Sequence, residues 1–321
     1  MLMGYLDTVE IGDPANGERN PLSGEVADGK IYGRGACDDK YALATCLFII
    51  RLLKEAGFVP KKNLLFSAYC DEELGGSHGA MAAVMRYPCQ GILNMDGRKN
   101  QAWHCASGGQ VVKYRYRVRG TVSCIEKTAR AIPVVLDTLA PFGQRRREEL
   151  QKNPYYAGTI IPQTSMVYSE FCAGNHGVDM AVGSLRLGFY TDKTKEEIWE
   201  ELAQMDALLQ EKLDPMGIDS EGFTADTRFF HYLACDPNSV DIRTMKEAVK
   251  EATGEDVLVC GSCQSDLSVI LKYGTMEAFG FGCGRDFHLP GGAHQPNEFM
   301  ECDILVDYAK KIAAYVLKMV G

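Results

Sequence analysis

Four short stretches of this sequence put carboxylates, and in one case an imidazole, where a loop would follow a strand or a glycine turn. Asp38 and Asp39 stand in YGRGACDDK, a glycine turn running into an apolar helical stretch. Asp71, Glu72 and Glu73 directly follow the apolar run LLFSAYC, and Asp96 closes the run GILNM. His294 lies in FGCGRDFHLPGGAHQPNE, a glycine-rich loop. In open α/β sheets, sites form outside the carboxyl ends of the strands, so these loops can converge on one crevice. Carboxylates gathered around one imidazole repel each other unless a cation sits among them. Oxygen and nitrogen donors around an open position suit a catalytic zinc ion.

Each stretch also has a plainer explanation. An Asp before a helix satisfies free backbone N–H groups as an N-cap. Acids after a strand often form a solvated turn, and a lone His in a glycine loop is more often structural than a ligand. Taken together, in this order and each at a strand end or loop, the stretches favour chemistry.

The elements that must position them alternate in type. Leu2 to Val9 reads as a strand, Asp39 to Ala56 as a helix, Asn63 to Cys70 as a strand, Ser77 to Tyr87 as a short helix and Gly91 to Met95 as a strand. Runs apolar on both faces, such as LLFSAYC, suit parallel strands covered by helices. Near Gly109 the texture changes. Val111 to Val118 (VVKYRYRV) alternates, as a strand with one solvated face does. Ile125 to Leu139, Glu148 to Lys152, Ser165 to Cys172, Ala181 to Tyr190, Lys195 to Leu213 and Phe223 to Leu233 extend an α+β segment. After Asp236 the first texture returns, with a helix over Val240 to Ala252, a strand over Met276 to Gly282 and a closing helix over Cys302 to Val320. The expected fold class is α/β: a catalytic domain with a mostly parallel sheet (residues 1–109 and 236–321), interrupted by an inserted α+β domain (110–235).

Length and composition narrow the function. A chain of 321 residues is long enough for two domains. The net charge of −9 argues against nucleic acid or anionic lipid as a partner. The longest apolar run, Ala42 to Ile50, is far short of the roughly 18 residues of a membrane span. The N-terminus lacks the basic region of a secretory signal, and twelve scattered cysteines then read as reduced thiols of a cytoplasmic protein. Cys260 and Cys263 form one C-x-x-C; without a second pair they read as loop residues rather than a zinc ribbon. No G-x-x-x-x-G-K-[ST] or G-x-G-x-x-G follows a strand, which argues against a phosphate-binding enzyme.

GKIYGRGACDDK, DEELGG and GGAHQPNE resemble the signature segments of the metallopeptidase family of aminoacylase-1, carboxypeptidase G, succinyl-diaminopimelate desuccinylase and acetylornithine deacetylase. LMGYLDTVE, NMDG, AGNHGVD and GSCQSD also fit in order, so the resemblance covers nearly the whole chain. It implies zinc as cofactor, with Asp38 bridging two ions, Glu73 and His294 completing one metal site and Asp96 belonging to the other. Glu72 is the implied general base, taking a proton from the attacking water and passing it to the leaving amine. Asn175 matches a lid asparagine that meets substrate. The insert becomes a lid, which in this family often pairs subunits, so a homodimer is implied as one arrangement.

The sequence departs from this pattern in three places. Where the family carries His-x-Asp, this strand reads GYLDTV: Asp7 is present, but Tyr5 stands at the ligand position. A phenol must lose a proton of pKa near ~10 to bind metal, which leaves one tight zinc site as the expectation. Asp7 would orient the missing histidine, so it stands as a catalytic-site candidate of open role. In the insert, Ser123 and Cys124 stand near an expected histidine, and Gly188, with Arg186 nearby, near an expected arginine. His288, six residues before His294, is a weak candidate to compensate; His78, His104, His176 and His231 take no role. The family also has several tens of residues ahead of this strand, so either an upstream start or a trimmed domain is expected. The two functions in play are a hydrolase of amide bonds in N-acyl amino acids or small peptides, and a degenerate relative that binds a metabolite or partner without turnover.

Overall fold

The computed structural model describes residues 1–120, 124–157, 159–175 and 180–321. They form two compact units, one of Met1–Ala106 with Leu233–Gly321, the other of Ser107–Tyr232. Ser123 and His176 lie outside the described residues.

The first unit begins with β1 (Leu2–Tyr5), β2 (Val26–Ala27), β3 (Lys30–Tyr32), α1 (Lys40–Glu55), β4 (Phe66–Tyr69), α2 (His78–Arg86), β5 (Ile92–Lys99) and β6 (Gln101–Ala106). The second unit holds β7 (Gly108–Arg119), α3 (Cys124–Lys152), β8 (Met166–Asn175), β9 (Met180–Thr191), α4 (Lys195–Leu213) and β10 (Ile218–Ala225). The chain then returns through β11 (Leu233–Ala234), α5 (Val240–Thr253), β12 (Leu258–Ser262), α6 (Leu267–Tyr273), β13 (Ala278–Gly282), β14 (Phe299–Glu301) and α7 (Cys302–Val320).

The first unit is built on a seven-stranded sheet. Its centre is parallel: β1 pairs with β4 and β5, and β5 with β13. β6 then pairs parallel with β12 and antiparallel with β13 and β11. All four residues of β1 are buried, as a strand covered on both faces requires. α1 buries Tyr41, Ala42, Thr45, Cys46 and Ile49, one stripe at helical spacing. It comes close to β1 because residue 4 is glycine: a Cβ there would stand 2.8 Å from that of Ala42. The chain is therefore mixed α/β with a largely parallel central sheet.

The second unit is a four-stranded antiparallel sheet in the order β10-β7-β9-β8. Val112, Tyr114, Tyr116 and Val118 of β7 are buried in one core with residues of α3 and α4, while the alternate basic residues point the other way. α4 starts with a capping box in which Thr194 and Glu197 each accept from the other's backbone.

Several boundaries differ from the sequence reading. β1 stops at Tyr5, so Asp7 lies beyond the strand and the period-two rule does not set its direction. β5 runs on to Lys99, which puts Asp96 inside the strand rather than at its end. Ile125–Leu139 and Glu148–Lys152 are parts of one helix, α3, despite Pro133 and Pro141, because its buried stripe continues through both prolines. The stretch Phe223–Leu233, read as part of the α+β segment, is regular at its start, in β10, which begins earlier at Ile218 where pairing with β7 fixes it. β6, β12 and α6 were not expected, and Cys260 sits in β12 rather than a loop. Asp39 occupies the N-cap position of α1 but makes no side-chain capping hydrogen bond, so the N-cap explanation of that acid fails.

Candidate active site

The loop after β4 separates the roles of three consecutive acids. Asp71 adopts φ 78° and turns its carboxylate onto the start of α2, accepting from the backbone N–H of His78 at 3.2 Å and facing its Nδ1. The Ser77 N–H closes the loop onto the Asp71 carbonyl at 2.7 Å. Asp71 is thus occupied by local structure. Glu73 donates its backbone N–H to Oδ2 of Asp7 at 3.0 Å, which ties the loop to the segment after β1.

The Glu73 side chain meets two residues far away in sequence. Nε2 of His294 lies 3.0 Å from Oε2 of Glu73 and 3.1 Å from Oδ2 of Asp38. One donor atom from each of the three lies within 4.8 Å of the others. The carboxylates are nearly enclosed, with side-chain exposures of 10% for Asp38 and 5% for Glu73, whereas His294 keeps 37%. His294 has φ 63°, a left-handed conformation that costs a β-carbon residue and is tolerated where the surroundings dictate it. Its ring packs edge-on against Phe287, centroids 5.0 Å apart.

Around this trio the charge is almost entirely negative. Glu72 and Asp96 are half-buried as residues, yet their carboxyl groups are shielded from water. Burial first, then the charge of Asp266 and Asp96, raises Glu72 well above the carboxylate range. Burial and then Asp38 and Glu73 do the same to Asp96. Burial lowers the pKa of His294, but its hydrogen bonds to the carboxylates of Asp38 and Glu73 outweigh it and raise the value to about 10. Burial leads at Glu72 and Asp96, and crowded carboxylates contribute to all three shifts.

The donor set fits a metal ion. Two carboxylate oxygens and one imidazole nitrogen match catalytic zinc, and the 3.0 and 3.1 Å separations approach the roughly 3.3 Å edge of a tetrahedron with bonds near 2.0 Å. Glu73 Oε1 is buried without a hydrogen-bond partner, so that side chain has coordinating capacity left. Tyr5 lies beside the trio, fully buried, with its hydroxyl donating to Oδ1 of Asp38. Burial and then the charge of Asp38 raise its pKa well above that of an ordinary phenol, so it enters as a proton donor rather than a phenolate.

Asp38, Glu73 and His294 come together; Glu72 and Asp96 stand in the same electrostatic cluster but outside that trio. His288 is exposed, and its backbone bonds Asp286. His104 is buried in β6 with Nδ1 3.2 Å from the Cys235 carbonyl oxygen. In the second unit Asn175 ends β8 and is exposed, Cys124 bonds the Gly120 carbonyl, and Arg186 pairs with Asp226.

Sequence reasoning passed over three contributors. The Tyr41 hydroxyl donates toward the carbonyls of Met95 and Gly97, at 2.9 and 3.2 Å, which fixes the backbone on both sides of Asp96. Asp266, 1% exposed, adds negative charge to Glu72 and Asp96. Glu298 accepts from the Cys37 N–H. Of these, Asp266, inside GSCQSD, and Glu298, at the end of GGAHQPNE, lay in stretches whose pattern could have signalled them.

An N-fatty-acyl-amino acid synthase/hydrolase of Xenopus tropicalis is 36% identical over 92 residues, which are 29% of this chain and 18% of that protein. The chain thus spans about a fifth of that relative's length. The crystal structure of an M20 family metallo-carboxypeptidase from Sulfolobus solfataricus aligns with a TM-score of 0.67 at 16% identity, covering 98% of this chain and 83% of that one. Human carnosine dipeptidase 1 aligns with a TM-score of 0.71 at 13% identity, covering 99% and 79%. The sequence profile of peptidase family M20/M25/M40 matches residues 1–318, and the chain belongs to that family.

Proposed function

We propose that this chain is a metal-dependent hydrolase of amide bonds in small peptides or N-acyl amino acids. The observation that carries the reading is the convergence of Asp38, Glu73 and His294, with donor atoms within 4.8 Å and one open side at His294. These three would hold a zinc ion, with Asp96 near a second position. A bound zinc would polarise the amide carbonyl and make water more acidic. Glu72 is the general base: burial and neighbouring acids make its carboxylate more basic than a free glutamate, as accepting a proton from water requires. It returns that proton to the leaving amine. Asp7 is a positioning residue that holds the Glu73 backbone through its 3.0 Å hydrogen bond. Tyr5 takes the place of a ligand histidine, leaving one tight metal site.

The second unit supports a homodimer. β8 is an edge of its sheet, ten residues long and exposed nearly throughout, and an open edge of that length invites pairing with another strand.

One observation favours binding without turnover: the Tyr5 hydroxyl takes up an oxygen of Asp38 that a second ion would use. Metal analysis of the purified protein, with hydrolysis of dipeptides and N-acyl amino acids measured before and after chelation, separates the readings. Hydrolysis that chelation stops and zinc restores supports the enzyme. Bound metal with no turnover of either substrate class supports the binder. Metal content unchanged in His294→Ala would overturn the site itself.

A further inference from the structure

We infer that the buried Arg34–Glu298 pair is a positioning clamp that sets the distance between Asp38 and His294, and with it the affinity of the metal site. This rests on the reading of Asp38 and His294 as ligands given above. Those two residues are 256 positions apart and sit on different loops, neither of them within a regular element. Something must hold the loops in register, and the connections converge on two side chains. The Arg34 guanidinium forms an ion pair with Glu298, with side chains only 7% and 2% exposed. Arg34 lies four residues before Asp38, and Glu298 four after His294.

The same pair holds both backbones. Glu298 accepts the Cys37 N–H at 3.0 Å through Oε1, one residue from Asp38. The two terminal nitrogens of Arg34 each lie 3.5 Å from a carbonyl oxygen, one of Gln295 and the other of His294 itself. The Gly33 N–H bonds the Glu298 carbonyl at 3.0 Å, completing the join. The planar, multi-donor guanidinium can face a carboxylate and two carbonyls together, which a lysine ammonium on a flexible stem does less well. The left-handed backbone of His294 and of Asn297, φ 63° and 58°, shows how tightly this loop is shaped around the join.

Removing Arg34 alone would leave a buried carboxylate unpaired and destabilise the fold, so the test uses the neutral pair Arg34→Met/Glu298→Gln. Gln keeps an acceptor for the Cys37 N–H and removes the ionic link. The measurements are zinc affinity by competition with a chromophoric chelator, melting temperature without metal, and the visible absorption of the cobalt-substituted protein. We expect melting near the parent's, zinc affinity about 10–100-fold weaker, and an altered cobalt spectrum. Arg34→Lys should fall between the two. Parental zinc affinity in a folded double variant would overturn the clamp. His294→Ala is the separating control. If it keeps parental zinc affinity, the ligand assignment has failed; if it loses zinc while the double variant does not, only the clamp has failed.

Discussion

The Tyr5 hydroxyl donates a hydrogen bond to Oδ1 of Asp38, while Oδ2 of the same carboxylate lies 3.1 Å from Nε2 of His294. One carboxylate is therefore shared between a buried phenol and an imidazole. Because burial and neighbouring negative charge keep the phenol protonated, it occupies Asp38 as a donor without offering a ligand of its own.

Replacing that donor tests what it excludes. Tyr5→His is expected to raise bound zinc from about one to about two equivalents per chain after dialysis. The readout is elemental analysis of protein reconstituted with excess zinc. Unchanged content would show that residue 5 is not at a second metal position.

Glu72 and Glu73 are adjacent but should fail differently. Glu72→Gln is expected to lower turnover by roughly 10²–10⁴-fold while metal content stays at the parental level, since only a proton acceptor is removed. Glu73→Ala should lose metal and activity together. Near-parental rates in Glu72→Gln would refute its assignment as the base.

Glu255 predicts acid sensitivity in the first unit. Its carboxylate accepts from the buried Lys311 and pairs with Lys99, and the Lys311 hydrogen bond is the main reason its pKa is lowered to about 2. A depressed folded-state value means that the contribution to stability is present above the unfolded glutamate pKa and is lost as pH falls through the folded one. Melting temperature should therefore drop between pH 4.5 and 2 by more in the parent than in Glu255→Gln. Identical acid profiles would remove this pair from the stability account.

Arg146 does comparable work in the second unit. It is fully buried in α3, bonded to both carboxylate oxygens of Glu201 at 2.9 and 3.0 Å and paired with Glu149 at 3.1 Å. Arg146→Met removes the buried cation shared by those two acids and should cost about 3–5 kcal/mol, read by denaturant unfolding. A loss under about 1 kcal/mol would mean that Lys193 and Arg145, which also reach Glu201, suffice.

The chemistry-bearing residue types were legible because their signals are local. A glycine turn before Asp38, acids at the end of a strand before Glu73, and a glycine loop around His294 each depend on a few neighbouring residues. The alternation of two-faced apolar runs with helical stripes likewise gave the α/β class, since backbone geometry imposes those periods on any sequence. Local signals failed where packing overrode them. Two prolines did not divide α3, whose buried stripe continues past both. Asp96 did not end β5, because pairing with β13 extends that strand to Lys99.

What the sequence alone determined is the set of side chains and the repeating patterns that build the sheet and its helices. What only the tertiary structure decided is which of those side chains meet. The contact of His294 with Asp38 and Glu73, the hold of Asp7 on the Glu73 backbone, and the burial of Arg34 against Glu298 all join residues distant in sequence. Such contacts leave no periodic trace, because their distances are set by how loops close over a finished sheet. The divided role of three adjacent acids has the same origin: Asp71 turns back onto α2, Glu73 faces His294, and Glu72 is enclosed with Asp96 and Asp266, according to what surrounds each carboxylate after folding.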